Sequence, residues 1–163
     1  MSTDVINTNS RTSDKYFIFF LDNKEYGIEI KYLLEIVPIP MITEIPNMKD
    51  YVKGVIDLRG KVIPVFDTRL RLELPEVQYH ERTCVVIIKI NKLSIGFIVD
   101  GVSEVVKILK DQIDVLPKGK KNNHHHCIKS TSRVKDRVII LLDPEKFFEG
   151  EHSIDQDKDR SEA

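Results

Sequence analysis

The sequence predicts an all-β fold with a few short helices, arranged as two small barrel-like halves that descend from one repeated unit and share a core. Apolar runs of strand length recur at residues 16–21, 84–90, 93–99 and 138–142, with short polar turns between them. The chain also contains a degenerate copy of itself, the signature of two copies of one small β unit. Each copy has about five short strands, too few to bury a sufficient core alone, so the two must share one.

The repeat is read position by position. Gly27 falls on Gly96; at the same spacing Ile28 falls on Phe97, Ile30 on Val99, Leu33 on Val102, Glu35 on Glu104 and Ile36 on Val105. At a longer spacing Val62 falls on Val138, Ile63 on Ile139 and Asp67 on Asp143. The difference places a longer loop in the second half, around residues 118–126. The division expected is a loose tail over 1–14, a folded region over 15–149 with intertwined halves of roughly 15–80 and 81–149, and a charged tail over 150–163.

Composition narrows the class. The 163 residues suit one domain or two intimately packed halves, and a hydrophobic fraction of 41% supports a real core. The 25 basic and 26 acidic residues leave a net charge of −1, which offers no basic field for nucleic acid. No apolar run approaches the ~20 residues of a membrane span, and no signal peptide is present. The expectation is a cytoplasmic protein without direct membrane insertion. Cys84 and Cys127 are read as buried free thiols, since two cysteines make no disulfide framework.

Taken in order, residues 16–21 form the first strand, 22–24 a turn, and 25–30 the second strand. Residues 31–34 bend or make a short helical turn, and 35–39 return to strand. Pro38, Pro40 and Pro46 then hold an extended loop. That loop carries Ile39, Met41, Ile42 and Ile45, which either fold back on the core or form an exposed partner patch. The stretch GVIDLRGKVIPVFD, from Gly54 to Asp67, is a hairpin. Its β-branched residues suit a pleated, half-buried surface, Gly60 takes the positive φ of the turn, and Arg59 projects from the tip. Pro64 lacks an N–H, so its strand is expected at an edge or beside a bulge. A short helix follows over 68–74. Residues 84–90 and 93–99 make another hairpin, Gly101 a bulge or bend, and 102–108 a strand. A basic loop over 117–123, a weak strand over 128–134, a strong one over 138–142 and a helical turn from Pro144 complete the fold.

Chemistry is harder to find than structure. His124-His125-His126-Cys127 could suggest a metal, but neighbouring residues of a strand point to opposite faces and no further ligands lie nearby. Asp67-Thr68 resembles the Asp-Thr-Gly of aspartic proteases with Arg69 in place of glycine; each of Asp67 and Asp143 is better read as the cap of the helix that follows it. There is no Gly-x-Ser-x-Gly, phosphate-binding loop or dinucleotide fingerprint. The expectation is a non-catalytic protein with no cofactor and no metal. A small-ligand β-barrel binder and a metal- or aspartate-dependent hydrolase are the alternatives.

Taken together, the motifs resemble the CheW-like domain family. The resemblance is carried by Gly54–Asp67, by Tyr26-Gly-Ile-Glu-Ile30 with Glu35-Ile36, Thr43 and Ile45-Pro46, by Gly96-Phe-Ile-Val-Asp-Gly-Val-Ser-Glu-Val105 and by residues 138–143. It runs from about Lys15 to Phe148. The departure is Ile128-Lys129-Ser130, where members often show an Ile-x-Gly step.

The resemblance implies two five-stranded SH3-like barrels and a chemotaxis adaptor. Such an adaptor couples chemoreceptor cytoplasmic domains to the CheW-like regulatory domain of the histidine kinase CheA, at membrane-associated receptor arrays. Array or ring assembly is left open. Carried over residue by residue, Leu33, Glu35, Gly54, Arg59, Val102 and Val105 are the receptor-binding positions, in a groove between the halves. Ile39, Met41 and Ile42 are assigned to the kinase surface.

Overall fold

The computed structural model describes residues 15–116 and 127–147. The expectations for the two tails, the basic loop over 117–123 and the His124–His126 run fall outside these residues. Among the described residues there are eleven strands: β1 (Lys15–Leu21), β2 (Lys24–Glu29), β3 (Leu33–Pro38), β4 (Val52–Leu58), β5 (Lys61–Asp67), β6 (Cys84–Ile90), β7 (Leu93–Val99), β8 (Gly101–Lys107), β9 (Ile113–Val115), β10 (Ile128–Val134) and β11 (Arg137–Leu142). One short helix, α1 (Thr68–Arg71), follows β5, and single 3-10 turns occupy Ile30–Tyr32 and Lys110–Gln112. The all-β class holds. The strand β9, with its preceding turn, was not foreseen; three residues carry too little pattern to stand out from a loop.

The strands form two sheets, ordered β8-β1-β2-β11-β10-β9 and β3-β6-β7-β5-β4. Each sheet takes strands from both halves of the sequence. β3 leaves its own hairpin to pair antiparallel with β6, and β8 pairs antiparallel with β1. The two parallel pairings, β2 with β11 and β5 with β7, also cross between halves. The repeat is visible in detail. β4 and β10 share one burial pattern, and each carries a register irregularity at its start, at Val52/Gly54 and Ile128/Ser130.

β1 and β6 are buried on both faces, which explains their unbroken apolar runs. With side chains alternating along each strand, Phe17, Phe19 and Leu21 meet Val86, Ile88 and Phe97 in one core between the sheets. Tyr16 and Ile18 face the other way, into a cluster with Ile108, Ile139 and Leu141. Val85 and Ile87, the repeat partners of Tyr16 and Ile18, enter the matching cluster with Ile56, Ile63, Val65 and Ile98. The molecule therefore has one shared core and two satellite cores. Gly27 and Gly96 both face these satellites: a Cβ would come within 2.9 Å of Ile18 at the first and 2.6 Å of Val85 at the second.

Pro64 stands beside a bulge and not at an edge. β5 is an interior strand, between β7 and β4. The proline is accommodated because the ladder to β7 pairs only Val65, Phe66 and Asp67, and the neighbouring β4 carries the irregularity at Val52/Gly54. Both cysteines are free and buried.

Candidate functional site

The hairpin β4–β5 turns in two residues, Arg59 and Gly60, with φ of 53° and 85°. Both positive values match the right-handed twist of the flanking strands. The Gly60 N–H donates to Asp57 Oδ1 at 2.8 Å, which fixes the turn. Arg59 stands exposed at the tip and donates to the Glu35 carboxylate on β3. Since β3 and β4 are the two outer strands of their sheet, this ion pair ties the edges together and helps close the sheet into a barrel. A backbone bridge between Thr43 and Val55, with both N–H···O distances at 2.9 Å, does the same. In the other sheet Arg137, on the interior strand β11, donates through Nη1 to Glu104 on the outer strand β8 at 2.9 Å, and its Nε lies 3.0 Å from Glu25. Glu35 and Glu104, paired in the sequence repeat, each lie on an outer strand and each accept from an arginine.

Gly54 is buried, with φ at +139°. A Cβ there would stand 2.0 Å from the Thr43 carbonyl oxygen. Its place in the site is structural support, letting residues 43–44 lie flat on β4. Its repeat partner Ser130 is also buried, and its hydroxyl has no hydrogen-bond partner among the described residues.

The remaining positions separate by exposure. Leu33 packs partly against the shared core. On the alternate positions of β3, Leu34 and Ile36 are 51% and 40% exposed. These two outward side chains were missed; the run LLEIV is apolar on both faces, so its pattern does not say which face meets solvent. Val102 and Val105 are exposed on β8, the outer strand of the other sheet. Of the loop residues, Met41 is 88% exposed, whereas Ile39 and Ile42 pack partly against the satellite core of β4 to β7. The loop therefore does both things the sequence allowed: Ile39 and Ile42 anchor it, and Met41 and Ile45 are exposed.

Beside β8 lies a cleft of about 800 Å³, lined by Phe20, Asn23, Arg69, Val77, His80, Arg82, Asp100, Gly101 and Val102. Its charged base is Arg69, from α1, and Asp100, from the bend between β7 and β8. Arg69 Nε donates to both Asp100 oxygens at 3.0 Å, and Nη1 donates to the Pro75 carbonyl at 2.7 Å. The Asp22 N–H also donates to Asp100, at 2.9 Å. The hydrogen bond to Asp100 raises the Arg69 pKa further, against the opposing effect of burial. On the opposite junction the repeat equivalent of Arg69 is Glu145, which accepts a 2.7 Å hydrogen bond from the Tyr32 hydroxyl. Burial, then that hydrogen bond, pushes the Tyr32 pKa well up.

Asp67 and Asp143 do not meet as a catalytic pair. Asp67 caps α1 by accepting from the Leu70 N–H at 3.2 Å, and its second oxygen accepts from the Tyr79 hydroxyl at 2.9 Å. Asp143 accepts from the Glu145 N–H at 3.1 Å. Among the described residues no three His, Cys, Asp or Glu side chains come together as metal ligands, and no helix is long and apolar enough to cross a membrane.

The model of the CheW-like domain matches residues 15–152. The chain is 34% identical over 137 residues to the chemotaxis protein CheW of Klebsiella aerogenes, covering 84% of this chain and 82% of that one. It is 30% identical over 143 residues to the chemotaxis protein CheW of Bacillus subtilis, covering 88% and 92%. Among solved structures it superposes on the scaffolding protein TtCheW from Thermoanaerobacter tengcongensis with a TM-score of 0.76 at 29% identity, covering 84% of this chain and 93% of that one. With its interleaved β sheets, its closed hairpin and a match over nearly the whole folded region, the chain belongs to the CheW-like domain family and is a non-catalytic chemotaxis scaffold.

Proposed function

We propose that the protein couples chemoreceptor cytoplasmic domains to the histidine kinase CheA, using one surface for each partner. The observation that carries this reading is the CheW-like domain matched over residues 15–152. The receptor surface comprises Leu33, Glu35, Arg59, Val102 and Val105, with Gly54 acting through the loop it accommodates. The kinase surface is the loop of Ile39, Met41 and Ile42, in which Met41 supplies the exposed contact and the isoleucines hold it in place. The protein works in the cytoplasm, recruited to membrane-associated receptor arrays.

Two features support separate surfaces. The exposed Met41 stands on the loop that Ile39 and Ile42 fasten to the satellite core of β4 to β7, whereas Val102 and Val105 stand exposed on β8 of the other sheet. The Arg59–Glu35 ion pair holds the exposed guanidinium in place at the tip of a rigid hairpin. The test is a reconstitution of receptor fragment, CheA and this chain, reading kinase activation. Receptor-dependent activation that requires the chain supports the coupling; binding to one partner without activation would reject it.

A further inference from the structure

The cleft beside β8 has apolar walls from Phe20, Val77 and Val102 and a charged base in which Asp100 is already neutralised by Arg69. Arg82, at its rim, has no carboxylate within ion-pairing distance among the described residues. Its backbone is held by a tight turn: Thr83 N–H donates to the His80 carbonyl at 3.0 Å, His80 N–H donates to Thr83 Oγ1 at 2.9 Å, and Arg82 N–H donates to His80 Nδ1 at 3.0 Å. Because Nδ1 accepts there, the His80 ring carries its hydrogen on Nε2 and offers a second donor. Opposite, Gly101 keeps the wall low, since a Cβ there would reach 3.7 Å from Phe20 and 3.9 Å from the Arg82 stem. Arg69 has Asp100 at 2.9 Å and Asp22 at 3.7 Å as carboxylate partners, so the lining arginine left without one among the described residues is Arg82.

We propose that Arg82 is a specificity-determining residue that reads a carboxylate next to an apolar side chain on the receptor segment docked in this cleft. The apolar side chain fills the space between Phe20, Val77 and Val102, while the neighbouring Asp or Glu meets the guanidinium, which presents a planar fork suited to a carboxylate. Charge complementarity selects this occupant: a basic segment would meet Arg82 unpaired, and a purely apolar one would leave the guanidinium partly desolvated without a partner. The inference rests on the reading that Val102 belongs to the receptor surface.

The experiment uses the full chain and a chemoreceptor cytoplasmic fragment, with affinity measured by calorimetry at low and raised salt. Arg82→Glu should weaken receptor binding by about tenfold or more, and Arg82→Gln by about fivefold, with a flatter salt dependence in both. Arg82→Lys should stay within about threefold, since it keeps the charge but loses the fork. CheA affinity should not change. Val102→Asp is the reference variant. If Val102→Asp abolishes receptor binding and Arg82→Glu leaves it within about twofold, the assignment of Arg82 is overturned and the surface stands. If neither variant alters binding, the receptor surface is placed wrongly and the assignment falls with it. A loss of CheA affinity in Arg82→Glu equal to the receptor loss would also overturn it. Thermal unfolding should be unchanged in the Arg82 variants, because the side chain lies at the surface.

Discussion

Gly54 shows how much one absent methyl group decides. Its φ is strained for any other residue, and a Cβ would collide with the Thr43 backbone. Gly54→Ala should cost about 2–4 kcal/mol, from strained backbone plus displacement of the loop. Urea unfolding checks this, and a cost under about 0.5 kcal/mol would mean that residues 43–44 lift away freely. Arg59 is the opposite case. Its ion pair with Glu35 is largely exposed, so Arg59→Ala should change stability by no more than about 1 kcal/mol. Receptor-dependent kinase activation should nevertheless fall about tenfold or more, as a truncated interface arginine commonly costs ~2 kcal/mol. A large drop in melting temperature, or unchanged activation, would reject that separation of roles. Tyr32 gives a pH effect with a definite sign. Its folded pKa is raised above the ordinary value of 10.0 by burial and the Glu145 hydrogen bond. The folded state therefore keeps a proton that the unfolded state releases, and this stabilisation is complete below about pH 10 and lost as the pH rises above it. Wild type should lose stability more steeply than Tyr32→Phe above that pH, and parallel slopes would show that the hydroxyl titrates normally when folded.

At the scale of elements, the loop after β3 is the informative case. Three prolines and four apolar residues made it unusual in the sequence, but composition did not separate anchor from contact. Only the fold does so, by placing Ile39 and Ile42 on the satellite core and Met41 in solvent. Met41→Asp should accordingly leave the melting temperature unchanged and weaken CheA binding about tenfold, ~1.4 kcal/mol. Ile42→Asp should destabilise the protein by about 2 kcal/mol or more by burying a carboxylate without a partner. Thermal unfolding beside calorimetry on both variants distinguishes them, and equal melting temperatures would place Ile42 outside the core. Strand existence was legible elsewhere because β1, β6 and β7 are continuous apolar runs. Their pairings were not, since a strand buried on both faces says nothing about which neighbour lies along its edge.

For the whole molecule, the interleaving of the sheets matters most. Every barrel contains strands from both sequence halves, so neither half holds a complete hydrogen-bonded sheet. A fragment ending near residue 80 should be unfolded by circular dichroism and amide dispersion, whereas the full chain should unfold in a single transition. A folded fragment would contradict the exchange of strands. The Arg69–Asp100 pair spans the same junction with both partners mostly buried, and Asp100→Asn should cost about 2–4 kcal/mol by leaving a desolvated guanidinium short of its partner.

What the sequence determined by itself was local or repetitive. The hairpin with Arg59 and Gly60 at its tip follows from turn chemistry within a few residues. The strand list follows from apolar runs, the capping roles of Asp67 and Asp143 from their place before a helical turn, and the repeat from comparing the chain with itself. The tertiary structure alone decided which distant residues meet. Glu35 and Arg59 are partners because the barrel closes, Arg69 and Asp100 because α1 packs beside β7, and the cleft around Val102 exists because β8 crosses to the other half. These are contacts between segments far apart in sequence. Their energy depends on the geometry of closure and on burial, neither of which a residue type or a periodicity encodes.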